Sequence, residues 1–233
     1  VEKMTKKLPK LPLIVGQWLE KTGIYQEQNI QYLRLKQAGL LRMKPNARWM
    51  SFQAQQIFHI DPPSSDWRAR VKIIPGLYLH GHDQWQNGIG HMHMRLWGVI
   101  PLVHGEGAMI DQGAMVRFLA EMVWFPWAML KPYITWQGMN ELQAIAIFQY
   151  QGITVSGIYG FNPMGDVINF QAKRFYSQGK DGRMEDWFVE IDPASYQNFG
   201  NIRLPTRAKV SWLLPQGCFT WLKLVISAVN YIA

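Results

Sequence analysis

The sequence has one cysteine, Cys218, so no disulfide can form within the chain and the redox compartment stays open. Cys218 sits between Gly217 and Phe219 in a stretch that reads as an apolar strand, and a buried, inert thiol is expected there. Charge is also scarce: 17% of the 233 residues are charged, against about 25% in an average globular protein. With 48% apolar residues, that balance argues against disorder. No apolar run reaches the ~18 residues that a membrane-crossing helix requires. The common catalytic signatures are missing: there is no Gly-x-Ser-x-Gly elbow, P-loop, dinucleotide fingerprint or His-Glu-x-x-His. Gly105-Glu106-Gly107 reads as loop punctuation. No helix–turn–helix, zinc-finger or RNA-recognition signature occurs, and the basic residues form no arginine-rich block, so nucleic acid is not an expected partner.

What is abundant is aromatic surface, with eleven Trp in the chain. A Trp-rich core is the preferred reading, and a cavity lined by aromatics is the sharper alternative. The net charge of +8 permits an anionic partner, a membrane surface included. Residues 1–10 read as a basic tail carrying Lys3, Lys6, Lys7 and Lys10, and 11–233 as a single β-rich domain. The chain starts at Val1, which leaves room for a removed signal or membrane anchor. A solvated tail is the preferred reading, with the compartment open.

The hydrophobic period divides the chain. Residues 8–22 are Pro-rich and then helical, with Ile14, Trp18 and Leu19 on one face and Gly23 as the stop. The period then becomes two: Leu33 and Leu35; then Met50, Phe52, Ala54, Gln56 and Phe58; then Trp67, Ala69, Val71 and Ile73. Pro62, Pro63, Ser64 and Ser65 read as a loop. Asn87-Gly88 predicts a tight hairpin between residues 77–86 and 89–97. Residues 111–130 predict a helix, with Asp111 as N-cap and an apolar surface nearly all round. Pro126 must kink it or begin a second short helix. Period two returns afterwards, with faces at Leu142–Phe148, Ile153–Phe161, Ile168–Ala172, Trp187–Ile191, Ala208–Trp212 and Phe219–Tyr231, and a turn at Lys180-Asp181-Gly182.

Sequential strands on short turns pair antiparallel, and a large twisted sheet must hide one face. The expected fold is therefore α+β, mostly β. A large curved antiparallel sheet, an open half-barrel, wraps around one or two internal helices, with a short N-terminal helix.

A run of motifs carries a family resemblance. Leu11-Pro12 opens the N-terminal helix; Arg42, Trp49, Phe52, Ala54, Gln55, Trp67 and Ala69 mark the first strands. Asp83, Gly88, Gly90, Met92 and Leu96-Trp97-Gly98 mark the hairpin. Arg117-Phe118-Leu119-Ala120-Glu121, with Trp124, Pro126 and Ala128, marks the helix and is the most specific part. Trp136, Phe161, Gly165, Arg174, Trp187, Arg203-Leu204-Pro205 and Trp212 complete the set. Across nearly its whole length the chain resembles an uncharacterised bacterial family, one of the domains of unknown function. The element order more distantly resembles the LolA-like lipoprotein carriers, which implies an open barrel plugged by helices around an apolar cavity. Neither resemblance supplies a catalytic residue, and none is assigned.

Four groups of residues could carry a function. Across the Asn87-Gly88 hairpin, His82 faces His93, Gln84 faces His91 and His80 faces Arg95. Four imidazoles (His80, His82, His91, His93) then share one surface, a zinc or copper pattern whose plainer reading is a polar strand face without a paired carboxylate. Arg117 and Glu121, spaced i, i+4 on the apolar helix, read as a helix-anchoring ion pair, or as a pair facing a cavity. Trp124, Phe125, Trp127 and Trp136 would line or plug an apolar pocket. Arg34, Lys36, Arg42, Lys44, Arg48, Arg68, Arg70 and Lys72 form a basic outer face, solvated or turned to an anionic surface. The leading expectation is a binding module for a hydrophobic, lipid-like ligand held between curved sheet and aromatic helix, with no cofactor. The alternatives are a metal-assisted hydrolase using the 77–97 hairpin histidines, with zinc as its metal, and a structural or scaffolding domain that uses its basic outer face.

Overall fold

A computed structural model describes residues 11–25, 30–178 and 181–232. The basic tail at 1–10 and Lys180 of the expected turn lie outside them.

The first helix, α1 (Leu13–Thr22), follows Pro12 and ends where Gly23 takes the left-handed conformation at φ 78°, which glycine adopts without steric strain. Its apolar face, Ile14, Val15, Trp18 and Leu19, is buried. Six strands follow: β1 (Tyr32–Leu41), β2 (Met50–His59), β3 (Ser64–Ile74), β4 (Leu77–Gln86), β5 (Ile89–Leu96) and β6 (Ile100–Gly105). After a helical segment come β7 (Ile134–Asn140), β8 (Gln143–Tyr150), β9 (Ile153–Phe161), β10 (Val167–Gln178), β11 (Asp181–Ile191), β12 (Tyr196–Phe199), β13 (Ile202–Pro205), β14 (Arg207–Leu214) and β15 (Gly217–Ile232). Two expected loops are shorter than expected: Pro62 and Pro63 lie in a turn but Ser64 and Ser65 begin β3, and Asp181 and Gly182 begin β11.

Thirteen strands form one antiparallel sheet, ordered β6-β5-β4-β3-β2-β1-β15-β14-β11-β10-β9-β8-β7. The chain is thus two meanders joined along β1 and β15, curled into a half-barrel. β12 and β13 form a small separate ribbon. The connection between the meanders is decisive. The chain leaves the sheet at one edge, β6, and re-enters at the opposite edge, β7. The segment between them has to cross the sheet, and it crosses the buried face.

That segment is α2 (Ala108–Glu121), followed by two short 3-10 turns at Met122–Trp124 and Pro126–Leu130. The expected single helix over 111–130 therefore stops at Glu121. Pro126 starts the last turn as its first residue, where its missing N–H is not needed. The start differs too: Gly107 is the N-cap, and Asp111 lies in the first turn. The Asp111 carboxylate instead accepts the Gly90 amide N–H of β5 at 2.6 Å. A side chain on Gly90 would meet the Ile110 carbonyl oxygen at 3.1 Å, so glycine there lets α2 sit down on β5.

Leu33, Leu35, Phe52, Phe58, Val71, Trp85, Phe148, Tyr159 and Phe170 are buried in one core with the segment. Among the described residues no helix is long and apolar enough to cross a membrane. Cys218 is exposed, contrary to expectation: it lies just past the β14–β15 turn, and the buried register of β15 begins at Phe219.

Candidate functional site

The crossing segment is held by a chain of polar groups inside an apolar surround. The Trp67 indole N–H donates to Gln37 at 2.9 Å, the Gln37 amide to Gln56 at 2.7 Å, and the Gln56 amide to Glu121 at 2.7 Å. Arg117 donates to Glu121 at 2.9 Å and to Asp83 on β4 at 2.7 Å. Its guanidinium also lies 5.0 Å from the centre of the Trp67 ring. Burial pushes the Arg117 guanidinium down, but the Glu121 and Asp83 carboxylates outweigh it and hold it above its ordinary range. Arg174 on β10 is pushed down to about 10 by burial and by the like charge of Arg117. Its Nε donates to the Gly113 carbonyl at 3.0 Å. Every link runs from sheet to helix or continues such a link, so the arrangement sets how α2 sits on β2, β4 and β10.

Beyond the network the segment is aromatic filler. Phe125 stacks on Phe58 with ring centres 4.1 Å apart and meets Phe118 edge-on at 5.0 Å. The Trp124 indole N–H donates to the Pro205 carbonyl at 3.0 Å, and that of Trp136 to the Met129 carbonyl at 3.2 Å. Trp127 meets Tyr231 edge-on at 5.1 Å. The Tyr159 hydroxyl donates to the Leu119 carbonyl, and burial pushes its ionisation far up. All four expected ligand-lining aromatics are buried in these contacts. The cavity beside α2, of about 70 Å³, is lined by Gln56, Trp67, Asp83, Arg117 and Arg174 among others. It has room for waters and not for an acyl chain.

The outer face of the same sheet is different. The hairpin register is the expected one, with His82 opposite His93, Gln84 opposite His91 and His80 opposite Arg95. Asn87 and Gly88 both have positive φ, as a type I′ turn requires. β6 then adds His104 opposite His93, followed by Glu106. Nδ1 of His91 lies 3.1 Å from Oε1 of Glu106, and Nε2 of His104 lies 3.2 Å from the same oxygen. Nδ1 of His93 and Nδ1 of His104 are 3.0 Å apart. Desolvation and the positive charge of His104 and Arg95 hold His93 below the ordinary histidine value. The hydrogen bond from His91 and the charge of His104 hold Glu106 below the usual carboxylate range. His82 turns the other way, to Asp66 at 3.0 Å, and His80 joins neither group. An expected face without carboxylates therefore carries two, Asp66 and Glu106.

An open trough of about 950 Å³ runs over this face from β1 to β5, with Lys36, Arg68, Arg70, Arg95, His80, His82 and His93 along it. Arg34 lines a neighbouring hollow of about 460 Å³. Arg42 instead lies 4.6 Å from the centre of the Trp49 ring, and Arg48 donates to the Ile73 carbonyl. At one end of the trough the β5–β6 turn exposes Trp97 and Val99, and the start of β6 exposes Ile100 and Leu102. Trp97 has φ 53°, a conformation strained for an aromatic residue.

The sequence model of a family described as a family of unknown function, DUF6544, matches residues 2–224. The chain belongs to that family. No functionally curated protein matches it. This DUF6544 chain is similar to a solved structure described as a candidate outer membrane lipoprotein-sorting protein domain from Vibrio parahaemolyticus. The two share 6% identity over 93% of each chain, with a TM-score of 0.47. It is also similar to a DUF1329 family protein from Desulfovibrio piger, at 8% identity over 94% of this chain and 91% of that one, with a TM-score of 0.48. Likenesses at this level bear on neither activity nor ligand.

For this DUF6544 member the structure brings Arg117 and Glu121 together as one ion pair and His91 and His93 into one cluster. It sets His80 and His82 apart from that cluster. Sequence reasoning missed Gln37, Gln56, Asp66, Asp83 as a partner of Arg117, and both β6 groups, His104 and Glu106. Gln37 and Gln56 carried a signal, since each is a polar residue at a core-facing position of an alternating strand. β6 carried little, because Pro101 and Gly105 break the strand pattern.

Proposed function

We propose that the protein is a non-catalytic binding module for a hydrophobic, lipid-like ligand, held between the curved sheet and the aromatic crossing segment. One observation carries this reading: residues 122–130 fill the concave face as apolar side chains on short 3-10 turns, outside any sheet ladder. The space is occupied, so the ligand enters by displacing this plug. Magnitudes allow the exchange. Withdrawing Trp124, Phe125 and Trp127 costs about 6–9 kcal/mol at roughly 2–3 kcal/mol each. Burying an acyl chain of about 14 carbons returns about 11 kcal/mol at ~0.8 kcal/mol per methylene. Arg117 and Glu121 lie at the head of the plug and keep α2 seated while its aromatic end moves.

Native mass spectrometry of the protein with palmitate and with a diacyl phospholipid tests the reading. A one-to-one adduct that survives dilution is expected. Absence of adducts with both probes would remove it.

The exposed turn supports a second reading, docking on an anionic membrane surface. Trp97, Val99 and Ile100 project beside Arg95 and the basic trough. Interfacial Trp and basic residues, at about 1 kcal/mol per charge near the surface, suit such docking. Co-sedimentation with vesicles containing phosphatidylserine should be salt-sensitive and weakened by Trp97→Ser. Equal binding to neutral vesicles would count against it.

A further inference from the structure

We propose that His91, His93 and Glu106, on the β5–β6 edge of the outer face, form a binding site for a divalent transition cation of the zinc type. His104 is the positioning residue of this site. The proposal is independent of the hydrophobic-ligand reading, because this face of the sheet is not the one that packs on the plug.

Ligand atoms of His91, His93 and Glu106 lie within 4.8 Å of one another. At zinc–ligand bonds of about 2.0–2.1 Å, neighbouring donors of a tetrahedral site stand about 3.3–3.4 Å apart. The His91–Glu106 separation of 3.1 Å is close to that edge. His93 has to close the remaining distance, and its side chain is only partly buried, so a change of rotamer is open to it.

The His93–His104 contact is the second observation. Two imidazole nitrogens 3.0 Å apart share one hydrogen, which ties the His93 ring to His104. The ring of His104 holds Glu106 through its other nitrogen, which fixes the carboxylate beside His91. Two imidazoles and one carboxylate suit zinc and its neighbours; magnesium and calcium prefer oxygen ligands alone. Three protein ligands leave a position open to water.

The backbone supports the placement. The ligands come from two strands paired in fixed register, His93 opposite His104 and Met92 opposite Gly105. Glu106 follows β6 directly, next to Gly107 with φ 98°. The acid thereby falls on the side of the ribbon that carries the histidines.

Isothermal titration of the intact protein with zinc chloride, alongside His91→Ala, His93→Ala and Glu106→Ala, tests the site. His59→Ala serves as a control that is no part of it. The ligands are partly or fully exposed, so circular dichroism should show all variants folded. Saturable binding of one equivalent is expected, weakened at least about tenfold by each ligand variant and unchanged in the control. Excess magnesium should not compete. Absence of saturable zinc binding, or an affinity that any one ligand variant leaves unchanged, would overturn the proposal.

Discussion

The side-chain amide of Gln56 donates to Oε2 of Glu121 at 2.7 Å, joining the centre of strand β2 to the last residue of helix α2. The other carboxylate oxygen of Glu121 takes the Arg117 Nε–H at 2.9 Å. Glu121→Ala would leave Arg117 and Gln56 without that partner in a largely buried place. A loss of about 3–5 kcal/mol is expected in urea denaturation, since removing one member of a buried pair strands the other. Glu121→Gln should lose less, because the amide oxygen can still accept one of the two bonds.

Asp166 gives a pH-dependent prediction. It accepts from Lys21 of α1 at 3.0 Å and from Arg203 of β13 at 2.6 Å. Burial pushes its carboxyl up, but the Arg203 and Lys21 contacts outweigh burial and hold it below the usual carboxylate range. A carboxyl depressed in the folded state stabilises the fold above its unfolded pKa of about 3.9. That contribution is lost as pH falls through the lower folded value. Asp166→Asn should therefore be less stable than the parent near neutrality, with the gap closing in strong acid. Thermal melts from neutral to acid pH measure this.

Much of the fold was legible because its signals are local. Alternation placed the faces of β2, β3 and β11, and Asn87-Gly88 fixed the hairpin register that puts His82 opposite His93. The helix was overextended because residues 122–130 are apolar on every side, and composition alone cannot separate α from 3-10 geometry. β6 escaped because Pro101 and Gly105 disguise an edge strand, and with it went His104 and Glu106. Asp83 alternates with His82 and Gln84 and so turns away from the histidine face, but its bond to Arg117 joins residues far apart in sequence, and no local pattern encodes that.

Cys218 lies in solvent. Native protein should react with a thiol reagent such as Ellman's reagent to one equivalent, at nearly the rate of the denatured chain. Labelling that requires unfolding would contradict this placement.

Phe125 has two opposed effects. It stacks on Phe58 and meets Phe118 edge-on with no exposed surface, so Phe125→Ala should destabilise the unliganded protein by about 3–5 kcal/mol. The same truncation makes the plug easier to withdraw, so acyl-chain affinity should rise while stability falls. Calorimetric titration with palmitate, paired with denaturation, would show whether the two move in opposite directions.

Hydrogen exchange followed by mass spectrometry tests the displaceable plug most directly. If the plug opens on its own, amides of residues 122–130 exchange through a local event well below the free energy of global unfolding, while β1, β2 and β15 stay protected. Added palmitate should then change exchange in the plug first. Plug amides that open only together with those central strands, with or without palmitate, would contradict the account.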